Sequence, residues 1–139
     1  MTERGPFSHR LRVRYCECDP QGVVFNGNYF TYFDVAMTEF HRQVIGEYAD
    51  LVNAGLEMVV AEASARYLAP AHFDEELDIE LAPGRLGTSS LTIQLVVKQA
   101  ETVIAEGELR YVFVKGKTRK KHAVPAEVRA ALEPYLGHA

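Results

Sequence analysis

Cysteine is scarce in this chain of 139 residues: Cys16 and Cys18 are the only two, with one residue between them. Two cysteines cannot make a disulfide framework, and the pair lacks the four-ligand spacing of a structural zinc site, so both read as reduced structural residues. Long apolar runs are missing as well. No stretch approaches the roughly 20 residues of a membrane span, and Met1 to Arg10 lacks the apolar segment of a secretory leader. These absences predict a cytoplasmic protein. His-x-x-x-His and Cys-x-x-Cys patterns do not occur, and His9, His72 and His138 have no acidic or cysteine partner at ligand spacing. No metal is therefore expected. A broad basic face is also lacking, since 15 basic residues meet 19 acidic ones for a net charge of −4. Lys115, Lys117, Arg119, Lys120 and Lys121 hold five of the basic residues, which leaves ten against nineteen, or −9, elsewhere. That distribution disfavours nucleic acid and suits a local anionic partner such as a phosphorylated cofactor.

What is present is enough for one core. The length fits a single domain over residues 1–139, hydrophobic residues make up 47% of the chain, and no repeat or linker interrupts it. Phe7, Leu11, Val13 and Tyr15 fall on alternate positions and predict a first strand. Turn signals follow at Asp19-Pro20-Gln21-Gly22 and Asn26-Gly27-Asn28, with Val23-Val24-Phe25 between them. From Tyr29 to about Ile45 apolar residues recur at helical spacing, with Asn26 or Asn28 as the N-cap and Gly46 as the stop. His41 falls away from the apolar stripe and is expected at the surface.

Four further alternating runs predict long strands: Val59 to Tyr67, Leu77 to Leu81 ending at Pro83-Gly84, Leu91 to Val97, and Val103 to Phe113. Asp78 and Glu80 alternate with the apolar residues of the second run and read as solvated. Pro125 opens a closing helix over Ala126 to Leu136. The economical architecture is α+β, one long helix against a strongly curved antiparallel sheet whose edges pair with a second copy.

The chemistry concentrates at Asp19. This carboxylate ends a strand and opens a loop that leads into the N-terminus of the longest helix. Helix N-termini offer unpaired N–H groups and partial positive charge, suited to an oxyanion or a thioester carbonyl oxygen. A carboxylate and an oxyanion hole in one loop would make a minimal hydrolytic site. The same Asp19 could equally form an Asx-turn with the backbone ahead of it.

The segment from Arg14 to Tyr29 resembles the signature of hotdog-fold acyl-CoA thioesterases of the 4-hydroxybenzoyl-CoA thioesterase group. The pattern Asp-x-x-Gly-hydrophobic-Val-aromatic, followed by Tyr at a helix start, is met at Asp19, Gly22, Val23, Val24, Phe25 and Tyr29. Tyr67 to Leu77 resembles that family's strand, Pro-Ala and Asp-x-x-Leu turn, and Ala105 to Leu109 resembles its late strand. The resemblance implies a sheet curled round one central helix, homodimers with active sites at the subunit interface, and further assembly into homotetramers in some members. It implies Asp19 as the carboxylate, acting as nucleophile or general base, and the backbone N–H of Asn26 as the donor to the thioester carbonyl. Many relatives carry His where Asn26 stands.

Gly22, Val24, Phe25, Tyr29, Phe33, Val59 and Val60 are the candidate substrate contacts. Arg85, Thr88, Ser89, Ser90, Lys115 and Lys117 are the candidates for coenzyme A phosphates. No cofactor is implied beyond coenzyme A as part of the substrate. Two alternatives stand beside hydrolysis: a hydratase or dehydratase on the same fold, which wants a His beside the carboxylate, and a non-catalytic module binding acyl-CoA or an acyl carrier.

Overall fold

Period-two alternation over residues 76–115 produces three long neighbouring strands in the computed structural model, which describes residues 6–136. These are β3 (Glu76–Leu86), β4 (Ser90–Gln99) and β5 (Thr102–Lys115). Leu77, Ile79, Leu81, Leu91, Ile93, Leu95, Val97, Leu109, Tyr111 and Phe113 are all buried, on one face of the sheet. The register sets Leu81 opposite Leu95, Ile93 opposite Leu109 and Leu91 opposite Tyr111. β1 (Phe7–Arg12) joins β3, and β2 (Leu56–Tyr67) joins β5, both antiparallel, for an order β1-β3-β4-β5-β2. The expected α+β class and antiparallel sheet are found.

α1 (Asn28–Phe40) crosses this sheet and buries Tyr29, Tyr32, Phe33, Ala36, Met37 and Phe40. Phe33 is fully buried. A Cβ built on Gly107 of β5 would overlap the Phe33 ring and lie 3.1 Å from the Ser64 carbonyl oxygen, so only glycine allows this approach of helix to sheet. Phe40 meets Phe7 and Tyr135 edge-on at 5.5 and 5.4 Å between ring centroids.

Several elements depart from expectation. The first strand stops at Arg12, and Tyr15–Glu17 forms a 3-10 turn. The α1 N-cap is Gly27, without a side-chain bond; the Asn28 amide reaches instead to the Glu17 carbonyl oxygen at 2.8 Å. Beyond Phe40 the helix widens into a π-turn, His41–Ile45. His41 follows buried Met37 by four residues and Phe33 by eight, on the same face of the helix, so the imidazole is buried rather than at the surface. A short helix not expected from the sequence, α2 (Tyr48–Asn53), precedes β2, and Tyr48 Oη accepts from the Met58 N–H at 3.0 Å. Pro83-Gly84 does not end β3 but forms an irregularity within it. Among the described residues β1 pairs no further than Leu81, so Pro83 removes no hydrogen bond of that pairing. The closing helix α3 (Ala126–Leu132) tightens into a 3-10 turn at Glu133–Tyr135.

The two sheet edges differ. β1 is six residues long and carries ion pairs from Arg10 to Asp78 and from Arg12 to Glu76. These charges protect it against pairing. β2 has twelve residues, most of them exposed, and its outer edge has no strand partner among the described residues.

One buried charge fastens the β1–α1 loop to the helix. Glu17 is 9% exposed; it accepts from the Arg14 backbone N–H at 2.8 Å, the Arg14 guanidinium at 2.9 Å and Tyr32 Oη at 2.9 Å. Burial pushes this carboxyl up, but the hydrogen bonds from Arg14 and Tyr32 outweigh it and hold the group below its ordinary value of 4.5. Its contribution to stability is therefore complete above about pH 4.5 and is lost as the pH falls from there toward the lower folded value.

Two outcomes follow from this packing. Gly107→Ala is expected to destabilise the fold by about 1–3 kcal/mol in urea unfolding, with a smaller loss in a Phe33→Leu background. An unchanged midpoint would remove the close approach from the account. Glu17→Gln should cost about 1–3 kcal/mol at pH 7 and flatten the fall of stability below about pH 4.5. A variant with the parent's acid slope would show that Glu17 is not the linked group.

Candidate active site

The loop after the 3-10 turn folds back on itself around Asp19. The Asp19 N–H donates to the Val23 carbonyl at 2.8 Å, and the Gly22 N–H donates to the Asp19 carbonyl at 2.9 Å. Gly22 has φ of +81°, in the left-handed region that glycine occupies without strain. Asp19 Oδ1 accepts the Gln21 N–H at 2.9 Å, so the Asx-turn forms. It engages one carboxylate oxygen. Oδ2 has no hydrogen-bond partner among the described residues, and the residue is half-buried. The turn and a chemical role for Asp19 are thus compatible.

The second half of the loop presents the helix start. The Phe25 N–H donates to the Glu17 carbonyl at 2.9 Å and the Asn28 N–H to the Phe25 carbonyl at 2.9 Å. Between them, the N–H groups of Asn26 and Gly27 have no acceptor among the described residues. Both lie where the 13-residue α1 concentrates its partial positive charge. The Asn26 carbonyl is fixed from the other side by Tyr67 Oη at 3.0 Å. Glu17 therefore holds both flanks: its own backbone leads into Asp19, and its carbonyl receives Phe25 N–H and the Asn28 side chain.

The remaining candidates separate into groups. Val24, Tyr29 and Phe33 are buried and pack beneath the loop and helix. Burial pushes the Tyr29 phenol up to about 12, so it is neutral at physiological pH. Phe25 and Val60 are about half exposed, as are Tyr67 and Leu68, and Val59 is half-buried. Together these residues form apolar surface along β2 and the α1 start.

Arg85, Thr88, Ser89 and Ser90 lie at the far end of β3 and the start of β4, where the Ser89 carbonyl accepts the Phe113 N–H at 2.8 Å. Lys115 and Lys117 follow Phe113, so all six phosphate candidates share one end of the sheet. Asp19 and the Val23–His72 bridge lie at the other, beside the start of β3. The ten steps from Glu76 to Leu86 span about 33 Å. A single protomer keeps the two groups apart.

Sequence reasoning missed Glu17, the Asn28 amide and Tyr67 as supports of the loop, and His41 as a buried group. Glu17 had a signal: it is an acidic residue three positions after Arg14, the spacing of a local ion pair. His41 had one as well: it stands four residues after Met37 and eight after Phe33, on the apolar face of the helix. His72 Nδ1 lies 3.4 Å from a Glu75 carboxylate oxygen, an exposed acidic partner not foreseen from spacing. His138 lies outside the described residues.

The chain matches the family model of the Thioesterase superfamily over residues 21–106, a stretch that begins two residues after Asp19. It is similar to a putative esterase of Aquifex aeolicus, 31% identical over 92% of this chain and 98% of the relative. It is also similar to the acyl-CoA thioester hydrolase YbgC of Escherichia coli, 30% identical over 89% of this chain and 93% of the relative. The crystal structure of a hypothetical protein from Aquifex aeolicus superposes with a TM-score of 0.86 at 31% identity, over 91% of this chain and 99% of that one. Sheet order, central helix and near-complete coverage agree, and the chain belongs to the Thioesterase superfamily, with the hotdog fold, as a thioester hydrolase.

Proposed function

We propose that this protein hydrolyses an acyl-CoA thioester to a carboxylic acid and coenzyme A, as expected of the 4-hydroxybenzoyl-CoA thioesterase group. The observation that carries the reading is one loop holding a carboxylate with an unengaged oxygen, Asp19, and two unengaged N–H groups at a helix start, Asn26 and Gly27. The Asn26 N–H polarises the thioester carbonyl and stabilises the oxyanion that develops as it is attacked. Asp19 supplies the attack in one of two ways. Its carboxylate adds to the carbonyl and expels the coenzyme A thiolate, leaving a mixed anhydride that water cleaves; or it takes a proton from a water that attacks directly. The acyl-CoA thioester hydrolase activity named for the Escherichia coli relative supports this substrate class.

The site needs two copies of the chain. Antiparallel pairing of β2 with the β2 of a second copy about a two-fold axis sets the Leu56 end of one strand beside the Tyr67 end of the other. Lys115 pairs with Leu56, and Tyr67 holds Asn26. The basic end of one protomer then lies beside the Asp19 loop of its partner, and Lys115, Lys117, Arg85 and the Thr88–Ser90 turn receive the coenzyme A phosphates. The long unpaired edge of β2 and the apolar surface beside it favour this homodimer over a monomer. Further assembly into a homotetramer is compatible with it.

Thiol release from a panel of acyl-CoA esters tests the reading. Asp19→Asn should lower kcat on the order of a hundredfold or more with KM little changed. A variant as fast as the parent would remove Asp19 from the reaction. Binding of acyl-CoA without thiol release by the parent would favour the non-catalytic module.

A further inference from the structure

The short helix α2 is flanked by two glycines in backbone conformations that other residues rarely adopt. Gly46 before it has φ of +129° and Gly55 after it has φ of +82°. Of the six residues of α2 only Leu51 is buried. Tyr48 and the preceding Glu47 line a cavity of about 400 Å³, and Val52 lines a second of about 660 Å³. Tyr48 Oη accepts the Met58 N–H at 3.0 Å, and the Gly55 carbonyl accepts the Gly116 N–H at 2.9 Å. A segment with so little buried surface belongs to the part of a fold that opens locally.

His41 closes the N-terminal side of the segment. The Gly46 N–H donates to the His41 carbonyl at 2.8 Å, and His41 Nδ1 lies 2.8 Å from the Gly46 carbonyl oxygen. A carbonyl only accepts, so Nδ1 carries the proton and the two residues clamp each other across the π-turn. The Tyr48 ring meets the imidazole edge-on at 5.3 Å between centroids. His41 is 7% exposed, and its buried Nε2 has no hydrogen-bond partner among the described residues. A neutral ring leaves only a lone pair at that atom. A protonated ring places a second N–H and a charge where nothing accepts them. Burial accordingly lowers the pKa of His41 below its ordinary value of 6.5, against the opposing effects of the Gly46 carbonyl and Glu47.

The charged groups around the ring set where its protonated form is favoured. Asp34 of α1, Arg42 of the π-turn and Glu47 ahead of α2 line the first cavity, with Tyr48 and Tyr111 as its phenols. Arg42 is paired with Glu39, and burial pushes the Tyr111 phenol up, so it stays neutral. α3, which also packs on the π-turn, buries Val128 and Leu132 rather than a charge. Asp34 and Glu47 thus favour an imidazolium in the cavity, while the buried place of Nε2 offers it no acceptor. We propose that His41 is a proton-operated latch: neutral, it holds Gly46 and keeps α2 closed; protonated, it leaves its buried position for the side of Asp34 and Glu47 and releases the segment between Gly46 and Gly55. The closed form holds the proton less tightly than the open one. Its stability is therefore complete above about pH 6.5 and falls as the pH drops from there toward the lower closed-state value. The latch does not depend on which ester the protein cleaves.

Amide hydrogen exchange of the whole protein between about pH 5 and pH 8, corrected for the intrinsic pH dependence of exchange, tests the latch. Residues 46–55 should be less protected than β3, β4 and β5 at every pH, as a local opening requires. Their protection should be level above about pH 6.5 and fall below it by up to about tenfold per pH unit, the limit for one proton. His41→Phe, which keeps a ring but cannot titrate, should remove that fall. Glu47→Gln should move it to lower pH, because Glu47 favours the protonated ring. The parent measurement needs no variant and stands even if His41→Phe fails to fold. Protection of residues 46–55 that stays level in the parent, that equals that of the long strands, or that falls as steeply in His41→Phe overturns the proposal.

Discussion

The close approach of α1 to the sheet at Gly107 is the constraint on which the rest of the structure depends. Phe33 lies over a position where even a methyl group would collide with it, and that contact sets how deeply the helix sits on the sheet. The helix start is then tied to the loop before it by Glu17, whose carboxylate holds Tyr32 and whose carbonyl holds Phe25 and Asn28. Tyr67, at the end of β2, holds Asn26 from the opposite side. Core packing thus passes directly into the geometry of the loop that carries Asp19. The unengaged N–H groups of Asn26 and Gly27 are preorganised in the sense that matters for an oxyanion, because fixed donors need no rearrangement as charge develops.

Strand length has the second large effect. Strands of ten to fourteen residues in β3, β4 and β5 bury a helix well, but they also set the two ends of the sheet far apart. The Asp19 loop occupies one end, while the basic residues occupy the other. The proposed two-fold pairing of the exposed β2 edges would resolve this separation, each protomer supplying a different half of each site. The charged, six-residue β1 edge leaves β2 as the edge suited to that role.

Much of this was legible in the sequence because it depends on local periodicity. The alternation in β3 to β5 and the helical spacing from Tyr29 to Phe40 reflect burial of one face, which the pattern encodes directly. Asp19, Gly22 and the helix start were legible because turns and helix N-termini have chemical signatures. What escaped has a common cause. The Asn28 amide cap, the hydrogen bonds of Glu17 and the π-turn after Phe40 are set by tertiary contacts or by a change of helical pitch, which the spacing of apolar residues does not record. Pro83-Gly84 misled for a related reason: the proline falls beyond the described pairing of β1 with β3, where it removes none of its hydrogen bonds, and local pattern does not record that register.

The central claim, that each site is divided between two copies of the chain, is tested most directly by mixed dimers. Asp19→Asn disables the loop, and Lys115→Glu with Lys117→Glu reverses the charge of the basic end, so each variant alone should release little thiol from acyl-CoA at low substrate concentration. After the two are unfolded together and refolded in equal amounts, half of the dimers are mixed and each holds one intact site. Activity should then return to about a quarter of the parent value. A mixture no more active than the separate variants would contradict the account and place Asp19 and the basic end's function within one protomer.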